Sequence, residues 1–203
     1  LGGSLFIVDS GLGWSMNPVL FLILFFWLLW LLFLVEYSRR KEQAGFKDYL
    51  VIIGGMIYIP LVLSLFTNLS AREIVFVLLA AAASDTGAYY FGSWWGRRKI
   101  WPEVSPKKTW AGSLGGLLLC TVVTLIYVQA LGSGSWPQHL ALGVLVNIAA
   151  QLGDFFQSSL KRWNQVKDSG SILPGHGGIL DRMDSILFLL PVYVLFNLIF
   201  TVF

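Results

Sequence analysis

The sequence predicts an all-α integral membrane protein with about six transmembrane helices. Three observations carry this. Hydrophobic residues fill 56% of the 203 positions and charged residues only 12%, against roughly 25% charged in an ordinary soluble domain. Apolar runs recur at the length needed to cross a bilayer core about 30 Å thick, roughly 20 residues at about 1.5 Å each. The cations, finally, gather on one side of those runs.

Taken in order, the predicted spans are 19–35, 50–67, 73–93, 111–131, 139–160 and 184–203. The first is close to pure hydrocarbon and aromatic, since Leu20 through Val35 contains no polar side chain. A soluble amphipathic helix does not read that way. Arg39, Arg40, Lys41 and Lys47 fall between the first two spans; Arg97, Arg98, Lys99, Lys107 and Lys108 between the third and fourth; Lys161, Arg162, Lys167 and Arg182 between the fifth and sixth. Only Arg72 falls on the other side, and the segment from Gly132 to Gln138 has no cation. Thirteen of the fourteen Lys and Arg residues therefore share one side, which the positive-inside rule makes cytoplasmic. Both ends of the chain then face outward. The net charge of +3 reflects that topology, and no nucleic-acid-binding module is visible.

The residues flanking the spans fit the same frame. Trp94, Trp95, Trp101 and Trp110 read as an interfacial aromatic belt, and the charged run from Glu36 to Asp48 as a cytoplasmic loop. Cys120, the single cysteine, lies in an apolar run, which excludes a disulfide framework and a Cys-based metal site. No basic segment precedes the first apolar run, so it is not a signal peptide. With Leu1 in first place, the expectation is that the true N-terminus is missing, so the count of six spans is a minimum. Residues 1–72 are expected to supply N-terminal spans and a cytoplasmic loop, and residues 73–203 a catalytic transmembrane region.

Chemistry is indicated by what violates the lipid pattern. An ionisable group at the centre of a span costs about 2.5–3.5 kcal/mol, whereas each apolar residue returns only about 0.3–0.6 kcal/mol. Asp85 in the third span and Asp154 in the fifth lie toward the cytoplasmic end, and Asp181 and Asp184 open the sixth. Carboxylates from three spans thus occupy similar depths on the cation-rich side. Asn147, Gln151, Asp154, Ser158 and Lys161 are spaced by four, three, four and three, so they line one helix face. Helix–helix hydrogen bonding accounts for Asn147 and Gln151 but poorly for Asp154.

Two loops complete the pattern. The segment from Asp168 to Asp181 carries Gly170, Gly175, Gly177 and Gly178, which let backbone N–H groups approach an anion. His176 within it is a turn residue, a phosphate donor or a proton shuttle; His139, at an outer boundary, is bland. In the third loop, Ser105-Pro-Lys-Lys-Thr-Trp110 places Lys107 and Lys108 where they serve either as anchors or as ligands for a polyphosphate. Ser105 and Thr109 add hydroxyls and a helix start. Because Mg²⁺ binds through few carboxylates plus substrate phosphates, acids, lysines and a glycine loop on one face point to metal-assisted nucleotide chemistry. No soluble-type P-loop motif is present.

The run Leu173-Pro-Gly-His-Gly-Gly-Ile-Leu-Asp181-Arg182-Met-Asp184-Ser185, preceded by Ser159-Leu-Lys161-Arg162 and Lys167-Asp168, resembles the signature of the phosphatidate cytidylyltransferase (CDP-diacylglycerol synthase) family. Asp85-Thr-Gly-Ala-Tyr-Tyr-Phe-Gly92, Ser105-Pro-Lys-Lys-Thr-Trp110 and Gly153-Asp154 resemble its upstream motifs, and the likeness covers roughly residues 75–190. Ala111 departs from the larger polar residue many members carry. The resemblance implies transfer of a cytidylyl group from CTP to phosphatidic acid, giving CDP-diacylglycerol and pyrophosphate, with Mg²⁺ and room for a second metal ion. It implies metal binding by Asp154, Asp181 and Asp184, with Asp85 as a fourth ligand or a cation partner. Lys107, Lys108, Lys161, Arg162 and Arg182 would hold phosphates, and Ser105, Thr109, Lys167, Asp168, His176 and Gly177 would complete the substrate site. The expected location is the cytoplasmic (inner) membrane with the site facing the cytoplasm, among membrane lipids, with a homodimer as a possible assembly. Two rivals are a CTP-dependent polyprenol or lipid kinase, which would release CDP, and an ion-coupled transporter, which would need acids accessible from both sides.

Overall fold

The structure, a computed structural model, describes residues 18–40, 46–166, 169, 178 and 180–203. The chain packs as two compact units, Leu1–Leu61 and Val62–Phe203. Among the described residues there are six α-helices: α1 (Pro18–Arg40), α2 (Phe46–Ser64), α3 (Ala71–Trp95), α4 (Trp110–Leu131), α5 (Trp136–Trp163) and α6 (Leu180–Phe200). A single 3-10 turn, Leu65–Asn68, follows α2.

In the first unit, Tyr49 Oη donates to Glu36 Oε2 at 2.8 Å, and the Phe33 and Tyr49 rings meet edge to face at 5.4 Å. Trp27, Leu31 and Leu34 are exposed along α1. The second unit holds the four helices that are, among the described residues, long and apolar enough to cross a membrane: Ala71–Trp95, Trp110–Leu131, Trp136–Trp163 and Met183–Phe200. The protein is thus a multi-pass helical membrane protein. The predicted edges shift by a few residues. The last helix, α6, begins at Leu180 rather than 184 and ends at Phe200, where Thr201 turns the chain with φ +48°.

Local sequence explains the helix starts. Ser70 caps α3 through a reciprocal pair: its backbone N–H donates to Glu73 Oε2 at 2.7 Å, and Glu73 N–H donates back to Ser70 Oγ. Ser135 and Gln138 form the corresponding box on α5, with Pro137 in its first turn. Thr109 caps α4, its hydroxyl accepting from Gly112 N–H at 3.2 Å; each such cap contributes about 1 kcal/mol. Ser105, also anticipated as a helix start, instead sits in the preceding turn, where its carbonyl accepts from Lys108 N–H at 3.3 Å.

Close packing of α3 on α4 depends on glycine. A Cβ on Gly87 would lie 2.5 Å from the Gly115 carbonyl oxygen, and one on Gly116 would lie 2.7 Å from that of Ser84. Backbones can approach so closely only where side chains are absent, the usual device of helix pairs in lipid. At the end of the bundle away from the cations, Glu73 Oε1 accepts from Tyr193 Oη (2.8 Å) and Asn197 Nδ2 (3.0 Å), joining the start of α3 to the end of α6. His139 is buried there, its Nε2 3.0 Å from the Ser133 carbonyl, consistent with its bland reading.

Candidate active site

Helix α5 has 28 residues, about 42 Å at 1.5 Å per residue, longer than a bilayer core about 30 Å thick. The polar face read from the sequence lies along it and meets a different neighbour at each step. Asn147 Oδ1 accepts from Ser84 Oγ of α3 at 2.9 Å. Gln151 exchanges two bonds with Ser113 of α4: the hydroxyl donates to Gln151 Oε1, and Gln151 Nε2 donates to the Ser113 carbonyl at 3.0 Å. Asp154 Oδ2 pairs with Lys108 Nζ at 2.6 Å. Lys161 Nζ donates to Asp181 Oδ1 of α6 at 2.9 Å. The two amide residues thus fasten helices together, as expected, while the charged members organise the cation-rich end.

There a cleft of about 430 Å³ opens, lined among others by Asp85, Tyr89, Ser93, Lys107, Lys108, Thr109, Gln151, Asp154 and Phe155. Helix α3 contributes Ser84, Asp85, Ala88, Tyr89, Gly92 and Ser93, a set at three- and four-residue spacing that lies on one face. The capped start of α4 contributes Thr109, Gly112 and Ser113, so a helix N-terminus, the positive end of its dipole, faces the cavity. The loop between α3 and α4 is braced by backbone bonds from Trp110 N–H to the Arg98 carbonyl (3.0 Å) and from Ile100 N–H to the Lys108 carbonyl (3.2 Å). This holds Lys107 and Lys108 at the cavity wall. The Lys108 ammonium also stands 3.9 Å above the centre of the Phe155 ring, a contact worth about 0.5–2 kcal/mol when partly desolvated.

Asp85, Asp154 and Asp184 lie within electrostatic reach of one another, with Lys108 as a shared counter-charge. The closeness of Asp154 and Asp184 has a backbone cause. A Cβ on Gly153 would sit 2.5 Å from the Asp184 carbonyl oxygen and 3.0 Å from Phe188 Cβ, so only glycine before Asp154 lets α6 pack this tightly on α5.

Asp181 stands apart from the other three carboxylates. Like Asp184 it is not among the residues lining the cleft, but both its oxygens are engaged. Oδ1 takes the Lys161 ammonium, while Oδ2 accepts from Ser169 N–H and Gly178 N–H, each at 2.9 Å. Burial works to raise its pKa, but the Lys161 ammonium and the Gly178 and Ser169 donors outweigh that and hold the carboxyl well below the usual carboxylate range.

Of the remaining expected site residues, Arg162 is exposed at the end of α5 and Ser105 lies outside the cleft lining. Arg182 lies in the first turn of α6, and its side chain is outside the described residues, as are Lys167, Asp168, His176 and Gly177 in their entirety. Tyr89, Ser93, Ser113 and Phe155 line the cleft without having been singled out beforehand. The helical spacing from Asp85 to Tyr89 and Ser93 is the signal that would have found the first two. The four tryptophans Trp94, Trp95, Trp101 and Trp110 are all more than half exposed around this end, in keeping with an interfacial belt.

The chemistry of the donor set fits a hard divalent cation. Carboxylates repelling one another across a partly apolar cleft, with one lysine between them, leave negative charge that such an ion would neutralise. Among the described residues no three acidic, histidine or cysteine side chains are gathered closely enough to enclose an ion unaided. A metal held here would therefore take few protein ligands and complete its shell with phosphate oxygens, as Mg²⁺ commonly does.

Comparison with known proteins identifies the family. A family model described as "Cytidylyltransferase family" matches residues 5–200. The phosphatidate cytidylyltransferase of Bacillus subtilis (strain 168) is 38% identical over 163 residues, 78% of this chain and 60% of that protein. Those of Staphylococcus aureus (strain COL) and Staphylococcus epidermidis (strain ATCC 12228) are each 39% identical, over 158 and 157 residues, in both cases 74% of this chain and 60% of the relative. The chain therefore spans about three fifths of the length of the curated relatives it matches.

Proposed function

This chain belongs to the cytidylyltransferase family, and we propose on that footing that it transfers the cytidylyl group of CTP to phosphatidic acid, forming CDP-diacylglycerol and pyrophosphate. The observation that carries the reading is the meeting, in one cleft, of Lys107, Lys108 and the capped start of α4 with Asp85 and Asp154. Polyphosphate-binding and acidic groups thus share a cavity within the cation-rich end of the bundle. The relatives named as phosphatidate cytidylyltransferases support the choice of substrates.

In the proposed reaction a phosphatidate oxygen attacks the α-phosphorus of CTP. A new P–O bond forms, the bond to the β-phosphate oxygen breaks, and pyrophosphate leaves with the electron pair. The attacking oxygen is already ionised near neutral pH, so no dedicated general base is required. The protein's task is then positioning and charge neutralisation. Lys107 and Lys108 hold the polyphosphate, aided by the α4 N-terminus, whose backbone N–H groups favour anions. Asp154 and Asp184, with Asp85 beside them, would hold Mg²⁺, which supplies neutralisation of charge on the phosphates when bound. Tyr89 and Phe155 flank the cavity with aromatic surface.

We further place the protein in the cytoplasmic membrane with this cleft on the cytoplasmic side, as the cation bias supports, and with α1 and α2 as two additional crossings. The decisive assay supplies the purified protein with labelled CTP, phosphatidic acid and Mg²⁺. Formation of CDP-diacylglycerol with one pyrophosphate per turnover is expected. Release of CDP with a phosphorylated lipid would assign a lipid kinase instead.

A further inference from the structure

The polar face of α5 makes two amide contacts, and they differ in where they stand. Asn147 bonds Ser84 of α3 at 2.9 Å, with both residues 1% exposed, and Asn147 takes no part in the cleft lining. Gln151, one turn nearer the cation-rich end, and its partner Ser113 of α4 both line the cleft. They bond reciprocally: the Ser113 hydroxyl donates to Gln151 Oε1, while Gln151 Nε2 donates to the Ser113 carbonyl at 3.0 Å. One bond holds a side chain and the other the helix backbone itself. Together they resist both rotation of α4 and its sliding along α5.

Helix α4 starts at the cleft, and α5 runs past it toward its own end. Thr109, the cap of α4, lies four residues before Ser113, about 6 Å along the axis; Asp154 lies three residues after Gln151, about 4.5 Å. These spacings keep each residue on the helix face of its neighbour. Lys108 immediately precedes the cap and pairs with Asp154 at 2.6 Å. The Lys108–Asp154 pair thus follows directly on the Gln151–Ser113 pair along the same seam. The first turns of α4 are poor in side chains that could lock its rotation. Three of the seven residues from Trp110 to Gly116 are glycine, and a Cβ on Gly112 would lie 2.7 Å from the Ala88 carbonyl oxygen. Such glycines admit the α3 backbone but have nothing to interlock, so a polar pair between helices supplies the directional fix.

From this we propose that Gln151 and Ser113 are positioning residues: their reciprocal pair sets the register of α4 against α5, and so holds Lys108 and the start of α4 at Asp154. The effect on turnover rests on the cytidylyl-transfer reading above, whereas the effect on the Lys108–Asp154 pair does not.

The test uses the full chain in detergent and two readouts. The first is the coupling between Lys108 and Asp154, taken without nucleotide or metal from the melting temperatures of Lys108→Met, Asp154→Asn and the double variant. The cycle is repeated in Gln151→Met, which keeps side-chain length without the two bonds, and in Ser113→Ala, which keeps the backbone bond. Coupling should fall to about half or less in Gln151→Met and by a smaller amount in Ser113→Ala. Ser113→Thr, which retains the hydroxyl, should restore it. Asn147→Leu breaks the deeper amide bond; it should lower the melting temperature yet leave the coupling unchanged. The second readout is steady-state kinetics. Gln151→Met should raise KM for CTP about fivefold or more with a smaller fall in kcat, while Asn147→Leu stays within about twofold in KM. The double variant Ser113→Ala/Gln151→Met should be no worse than Gln151→Met alone, since both changes remove one contact. Coupling that survives in Gln151→Met, or is lost equally in Asn147→Leu, overturns the proposal. Additive losses in KM would mean that Gln151 acts on the substrate directly, and they overturn it too. Loss of coupling in a chain that forms no CDP-diacylglycerol would overturn only the functional reading.

Discussion

Lys107 and Lys108 sit where positive-inside anchoring alone would also put lysines, so the residue-level question is whether they bind or merely orient. Both line the cleft, and Lys108 is already committed to Asp154 at 2.6 Å. Arg97 and Arg98, in the same loop, are exposed, and Arg98 braces the loop only through its backbone carbonyl. Each lost charge-assisted phosphate contact removes about 1.5–3 kcal/mol, or roughly 10- to 150-fold in kcat/KM. The pair Lys107→Gln/Lys108→Gln is therefore expected to lose at least about tenfold in kcat/KM for CTP, and Arg97→Gln/Arg98→Gln to lose little. Equal small losses in steady-state kinetics would reduce the lysines to anchors. Asp181 yields a pH prediction at the same scale. Its folded-state pKa is depressed, so its stabilising contribution is complete above the unfolded value near 3.9 and fades only as pH falls through the lower folded value. The thermal stability gap between wild type and Asp181→Asn in detergent should be constant from pH 7 to pH 5. It should narrow only below about pH 4; a gap that closes between pH 7 and 5 contradicts the assignment.

At the scale of elements, the site depends on how closely helices approach. Gly153 touches backbone rather than a movable side chain tip, with the Asp184 carbonyl 2.5 Å from a would-be Cβ. Alanine improves helix propensity by about 1 kcal/mol, but overpacking against backbone costs about 1–3 kcal/mol, and the second effect wins here. Gly153→Ala should lower the melting temperature and separate Asp154 from Asp184, with kcat falling more than KM rises. Gly54, in α2, has nothing within 4 Å of its would-be Cβ, so Gly54→Ala supplies the contrast: equal or slightly higher stability, measured by thermal unfolding in the same detergent. A Gly153→Ala protein as stable and as active as wild type would show that α6 can shift without consequence.

For the whole molecule, the four long apolar helices of the second unit alternate in direction. The ends of α3 and α5 and the starts of α4 and α6 therefore share one side, and that side holds the cleft and, within this unit, every described cation but Arg72. The expected orientation follows from charge, not from packing. In a chain with Cys120 replaced by serine, a cysteine at Glu103 should resist an impermeant maleimide applied to intact cells, and one at Ser135 should label. Strong labelling at position 103 would invert the topology and remove the cytoplasmic nucleotide supply on which the functional reading depends.

Sequence by itself determined the helical, membrane-crossing character and the identity of the exceptional acids, and it sets the expected sidedness. Each is a sum over local properties: twenty apolar residues in a row, cations in alternate loops, a carboxylate where lipid would not tolerate one. It also showed that Asn147, Gln151, Asp154 and Lys161 share a face, because helical periodicity is a property of one segment. Only the tertiary structure decided whom each of these residues meets. Asp154 took Lys108 from another element's approach, Asp181 took Lys161 and two backbone amides, and Tyr89 and Phe155 became walls of a cavity. The glycines at 87, 116 and 153 acquired their meaning only at helix crossings. Partner choice depends on how far each helix is rotated and how closely two backbones can approach, and those are set jointly by several segments distant in sequence. That is why carboxylates alike in the sequence differ once folded: Asp154 meets Lys108, whereas Asp181 meets Lys161 and two backbone amides.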